Sequence, residues 1–184
     1  MATRKGYGQV EPNHLSAQHN GQIYAQLPAK TGTTKISQLE NGQFLKYDYA
    51  AGEAHTTGDI EWMLVYNEEK LYDERFQNHK DFAMKASDMT DGIIYPRLLK
   101  THVGDIFTTN TFRTAGNTPA TVTGPNDTIT IPDLAVRDYL DIDTAGWLKK
   151  ATGTTKPESG IVFQVVKVYT MPDGQFGVKI QRIQ

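Results

Sequence analysis

The chain has no cysteine in its 184 residues. That removes disulfide staples, thiolate zinc sites and thiol nucleophiles, and it suits synthesis in a reducing compartment. Long apolar runs are missing as well. The richest aliphatic stretches, residues 161–166 and 62–66, fall far short of the ~20 residues a membrane helix needs. The start, Met-Ala-Thr-Arg-Lys-Gly-Tyr-Gly, places no apolar segment behind its basic pair, so the expectation is a soluble protein without a signal peptide or membrane partner. Basic charge is scarce where a nucleic-acid module would concentrate it. Residues 1–35 hold four Lys/Arg against one Glu, a net of +3, but the remainder holds fifteen basic and twenty acidic residues, a net of −5. An acidic body lacks the dense cationic face that neutralises phosphates, so nucleic acid is not an expected partner.

Catalytic signatures are absent in the same way. His14, His19, His55, His79 and His102 form neither H-x-H nor H-E-x-x-H, the spacings that bring two imidazoles onto one metal. Asp141-x-Asp143 begins like a calcium loop, but the fifth position is Ala145, with no oxygen to offer, and the twelfth is Thr152 rather than a bidentate Glu. Polar residues at a strand end are the preferred reading there. Neither a G-x-S-x-G elbow, a Walker loop nor a dinucleotide fingerprint occurs. Glu68-Glu69 and Asp73-Glu74 lie beside Lys70 and Arg75 and read as a solvated charged surface, not as a glycosidase pair. The expectation is a protein that is not an enzyme and holds no cofactor or metal.

What is present is turn and strand chemistry. Asn20-Gly21-Gln22-Ile23, Asn41-Gly42-Gln43-Phe44 and Asp173-Gly174-Gln175-Phe176 each couple a dipeptide suited to positive φ with an apolar residue that opens a strand. The strongest element is a C-terminal hairpin. The β-branched and aromatic run 161–171 enters the Pro172-Asp173-Gly174 turn, and Phe176, Val178 and Ile180 then alternate with polar or small residues. Further strands are predicted over 43–49, 60–66, 93–100, 106–112, 128–131 and 139–142, with Pro96 requiring an edge or a break in its strand. Residues 67–89 lack a clean apolar face and predict a short helix or long loop, and 113–127 a polar loop. Thr31–Lys35 and Thr152–Lys156 share the sequence TGTTK, but their flanks differ, so the match reflects turn composition, not duplication.

Frequent short strands without βαβ alternation predict a mainly β fold, a small antiparallel barrel or sandwich with at most one or two short helices. Residues 1–35 have no surviving period and few apolar positions. They predict an extended N-terminal arm that orders only against something else, or equally a loose terminus with no role, leaving 36–184 as the body. Tyr47, Tyr49, Trp62, Tyr66 and Tyr72 lie close enough in sequence to form a stacking platform. A small β core uses aromatics in the same pattern.

Three stretches resemble accessory head proteins of tailed bacteriophages, of the capsid-decorating or cementing kind: Leu39-Glu40-Asn41-Gly42-Gln43-Phe44-Leu45-Lys46, Val103-Gly104-Asp105-Ile106-Phe107-Thr108, and the run from Tyr139 to Leu148, YLDIDTAGWL. The resemblance implies a small β-barrel with a polar arm, located on the capsid surface of a virion and made in the bacterial host cytoplasm. Its implied partner is the major capsid protein, with self-association on the particle. An arm that docks would use its basic and apolar side chains, which makes Arg4, Lys5, Tyr7, His14, Ile23, Tyr24 and Leu27 the expected contacts. A carbohydrate-binding adhesion module is the alternative, and an oligonucleotide-binding barrel a more distant one.

Overall fold

A computed structural model describes residues 2–19, 23–24, 26–69, 78–116, 118–153 and 155–184, with 18, 19, 23 and 24 described in backbone only. The protein is mainly β and built from several antiparallel sheets. The helical pieces among the described residues are the four-residue helix Ser16–His19 and the 3-10 turns His79–Asp81 and Ala86–Asp88. None is long and apolar enough to cross a membrane.

Two sheets dominate. The five-stranded sheet runs Ile23–Tyr24, Leu98–Leu99, Trp62–Val65, Phe44–Asp48, Glu53–His55 in spatial order. The six-stranded sheet runs Leu148–Lys150, Tyr139–Ile142, Val162–Thr170, Phe176–Arg182, Ile106–Thr109, Val10–His14. Strand alternation sorts the side chains between two cores. Phe44, Leu64 and Leu99 face the six-stranded sheet and pack with Phe107, Leu140, Phe163, Val178 and Ile180. The neighbouring positions Leu45, Tyr47, Met63, Val65 and Leu98 turn the other way, into a second core with Ala29, Leu39, Ala54 and Ile94. A sheet covered on both faces needs apolar residues at successive positions, which is why the 62–66 stretch reads as a continuous run. Phe163 stands at the centre of the main core, with ring centroids 5.7 Å from Phe44 and 5.6 Å from Phe107.

The hairpin forms where its turn chemistry places it, with Val165 opposite Ile180 and Val168 opposite Val178 across a bulge between Val165 and Lys167. Tyr139–Ile142 matches its expected span, while Ile106–Thr109 and Thr128–Thr130 come out shorter than expected. Pro96 breaks its strand: only Leu98–Leu99 pairs, between two neighbours in the sheet interior. Residues 78–89 hold the two 3-10 turns around the short strand Met84–Lys85, and 70–77 lie outside the described residues, as does the Asn20-Gly21-Gln22 turn.

The leader departs from the expected arm. Its described part holds short strands and the helix Ser16–His19, and it is ordered against the protein's own body. Thr3–Lys5 pairs with Thr128–Thr130, and Val10–His14 forms the outer strand of the six-stranded sheet. Leu15 and Ala17 join the main core. Gly8 allows this approach: a Cβ there would fall on the Thr111 side chain and within 2.9 Å of the Asn41 carbonyl oxygen.

Candidate docking surface

Burial removes two of the expected contact residues from any surface. Arg4 is 0% exposed, and its Nη2 donates to Glu40 Oε2 at 2.8 Å. Tyr7 is also buried, and its hydroxyl donates to the Thr123 carbonyl at 2.9 Å. The physical reason is that Arg4 occupies the inward position of a strand whose flanking Thr3 and Lys5 face solvent. Lys5 and His14 are exposed, and Leu27 packs half-buried against the second core. Ile23 and Tyr24 pair through their backbones with Leu99 and Leu98, and their side chains lie outside the described residues. The structure therefore does not gather the seven into one patch.

Arg4 instead organises a buried polar web. Glu40 Oε2 also accepts from Gly8 N at 2.7 Å, and Glu40 N donates to Gln43 Oε1 at 2.7 Å. Asn110 Oδ1 accepts from Gln9 N at 2.9 Å, and the Thr109 and Thr111 hydroxyls donate to the Gln9 and Asn41 carbonyls, both at 2.7 Å. The Trp147 ring lies 5.9 Å from the Arg4 guanidinium carbon. Burial pushes the Glu40 carboxyl up and the Arg4 guanidinium down, while their mutual attraction opposes both shifts. A groove of about 360 Å³ opens beside this web, with Gln38, Glu40, Gln43, Val122, Thr123 and Trp147 in its wall.

Several other carboxylates hold backbone turns. Asp143 accepts from Ala145 N at 2.7 Å and Trp147 N at 2.9 Å, and pairs with Arg113. It closes the turn between Tyr139–Ile142 and Leu148–Lys150, so the calcium-like spacing is a turn cap. Asp105 accepts from Ser16 N at 3.0 Å and His102 N at 2.8 Å. Asp127 accepts from Thr123 N and Oγ1, both at 2.8 Å, and from Gly124 N at 3.1 Å. These bonds hold Asp127 below the ordinary 3.8. Its contribution to the 123–127 turn is complete above 3.8 and is lost as pH falls through the depressed value. Carboxyl NMR titration should place Asp127 below 3.8, and Asp127→Asn should loosen the Thr123 and Gly124 amides to hydrogen exchange at neutral pH. Among the described residues no group of three or more His, Asp or Glu side chains is placed to hold a metal ion.

The aromatic platform does not form. Lys46 pairs with Trp62 across the five-stranded sheet, so Trp62 shares a face with Lys46, whose Nζ lies 4.7 Å from the Trp62 ring. Tyr47 points to the opposite face, where Tyr49 meets it edge-on at 4.2 Å. Trp62 and Tyr66 pack against the main core, on the other side of the sheet from Tyr47, and Tyr72 lies outside the described residues.

One face of the six-stranded sheet sets several polar residues opposite one another. Gln164, Gln181, Lys179 and Thr108 are related by direct cross-strand pairing, and Lys167 lies opposite Lys179. Gln164, Lys179 and Gln181 are part-exposed and Lys167 is exposed, whereas Thr108 is buried and its hydroxyl donates to Asn13 Oδ1 at 2.8 Å; they come from strands far apart in sequence. Hydrophobic alternation is the sequence signal for Gln164, Lys179, Gln181 and Thr108, each of which neighbours a core position along its strand, and the register adds which of them lie opposite one another. No family model, curated protein or solved structure matches the chain.

Proposed function

We propose that the chain is a non-enzymatic virion structural protein that binds and stabilises the capsid lattice of a phage head, with the major capsid protein as partner. The observation that carries this reading is the use of the polar side chains. Asp105, Asp127, Asp143 and the Arg4–Glu40 pair each hold the protein's own backbone or one another, which leaves an extended sheet face and its edges as the features available to a partner. Two of the stretches that carry the phage resemblance also lock together. Phe44 N donates to the Gly146 carbonyl at 2.8 Å, joining the turn at Asn41-Gly42 to the turn closed by Asp143. A rigid β body of this kind gains avidity by repeating a modest interface over a symmetric lattice.

The reading predicts co-sedimentation of the purified protein with particles that lack it, and restored resistance of those particles to heat and salt. Particles whose composition and melting are indifferent to the protein would refute it. The carbohydrate alternative placed its binding surface on aromatics that the sheet distributes over two faces, and Trp62→Ala is expected to leave glycan-array profiles unchanged.

A further inference from the structure

The hairpin leaves one stretch of strand open. Val165 is the last residue of Val162–Thr170 bonded on the side away from Phe176–Arg182: it donates to the Asp138 carbonyl at 2.9 Å and accepts from Arg137 N at 2.8 Å. From Val166 to Thr170 no strand lies on that side among the described residues. Three other outer strands are guarded. Val10–His14 carries Pro12, Leu148–Lys150 is bridged by Phe112, and Glu53–His55 is bridged by Ala29. Natural sheets cover or blunt such edges because unpaired N–H and C=O groups recruit other chains. The 166–170 edge has no proline and, among the described residues, no cover, and it presents Val166 at 42% and Val168 at 38% exposure, with Val136 also exposed nearby in sequence to Arg137.

The charges beside this edge are unmatched. Lys167 lies directly opposite Lys179, an arrangement that is unfavourable for like charges on neighbouring strands. Lys179 Nζ sits 5.7 Å from the Tyr169 ring, and among the described residues neither lysine has a carboxylate within ion-pair distance. Asp138, on the adjoining segment, is held by Lys150 at 2.6 Å and by Ala135 N at 2.8 Å. Val168 shares the face of Val178, and Lys167 that of Lys179. A strand added at this edge would therefore set alternate side chains beside a valine and beside a lysine pair.

We infer that the Val166–Thr170 edge takes up an extended segment of a partner protein in which acidic and apolar residues alternate, the acidic ones settling over Lys167 and Lys179. Main-chain hydrogen bonds supply affinity and the lysine pair selects the partner's charge. The inference rests on the lattice-binding reading for where such a partner is found, but the edge can be tested without particles.

The test titrates the isotope-labelled protein with an acetylated peptide of alternating Glu and Val, and with its Lys/Val counterpart, following amide NMR shifts. Shifts confined to Val166–Thr170 and the facing lysines, with the acidic peptide only, are expected. K167E/K179E should weaken that binding about tenfold or more, and V168P should abolish it while leaving the core spectrum intact. Absence of shifts at millimolar peptide, shifts elsewhere, or equal response to both peptides would overturn the inference. So would concentration-dependent dimers lost in V168P, which would assign the edge to a second copy. In the particle assay, a wild type and a V168P variant that sediment equally would overturn the inference and leave the lattice reading standing. A wild type that does not sediment removes the lattice reading alone, and the peptide titration still decides the edge.

Discussion

Replacing Glu40 with leucine while Arg4 remains is expected to destabilise the protein by about 3–5 kcal/mol, the range for an uncompensated buried charge. Arg4 is fully buried and Glu40 nearly so, at side-chain exposures of 0% and 2%. Removing the carboxylate leaves a guanidinium whose one remaining hydrogen bond among the described residues is to the Asn110 carbonyl at 3.4 Å, facing the Trp147 ring. It also strips the Gly8 amide of its acceptor. The double variant Arg4→Met/Glu40→Leu should recover most of the loss, because replacing a buried pair with apolar groups of similar volume is often neutral or stabilising. Urea unfolding of the two singles and the double measures the coupling directly, and additive losses would show that the pair does not act as a unit. Opening of the leader should accompany the single variants and appear as earlier proteolysis near Lys5.

The second large effect is expected at Gly146. Its φ is +81°, and a Cβ would fall on the Phe44 carbonyl oxygen at the point where Phe44 N donates to the Gly146 carbonyl. Alanine there combines left-handed strain of about 1–2 kcal/mol with a backbone collision that neither strand can relieve cheaply, for a total of about 4 kcal/mol or more. Gly104 is the control. Its φ is +98°, yet nothing lies within 4 Å of a Cβ there, so Gly104→Ala should show the strain alone. Comparing thermal melts of the two separates conformational cost from steric cost, and similar shifts in Tm would contradict the collision.

These two sites mark different degrees of legibility. The hairpin of Val162–Thr170 and Phe176–Arg182 was readable because β-branched residues, a Pro-Asp-Gly turn and period-two alternation all act within a few residues. The described residues of 113–127 hold no strand or helix, as expected of a loop for the same local reason. Thr3–Lys5 was not readable. Its inward position is occupied by Arg4, and alternation assigns a charged residue to solvent unless the partner is known. That partner, Glu40, is 36 positions away. The aromatic cluster failed as a platform through register: pairing Lys46 with Trp62 sends Tyr47 to the opposite face, and nearness in sequence carries no record of that. Asp143 was legible as strand-end polarity, but its pairing with Arg113 was not.

The residue order alone determined the short-range outcome: a cysteine-free, mainly β chain with turns at Asn41-Gly42 and Asp173-Gly174, because φ preferences and alternation operate between neighbours. Only the tertiary structure decided which charge is buried, which aromatics part company and which strand edge, Val166–Thr170, has no neighbouring strand on its outer side among the described residues. Desolvation, pairing and cover belong to groups brought together across the whole chain, and their free energies do not exist until the sheets have closed on one another.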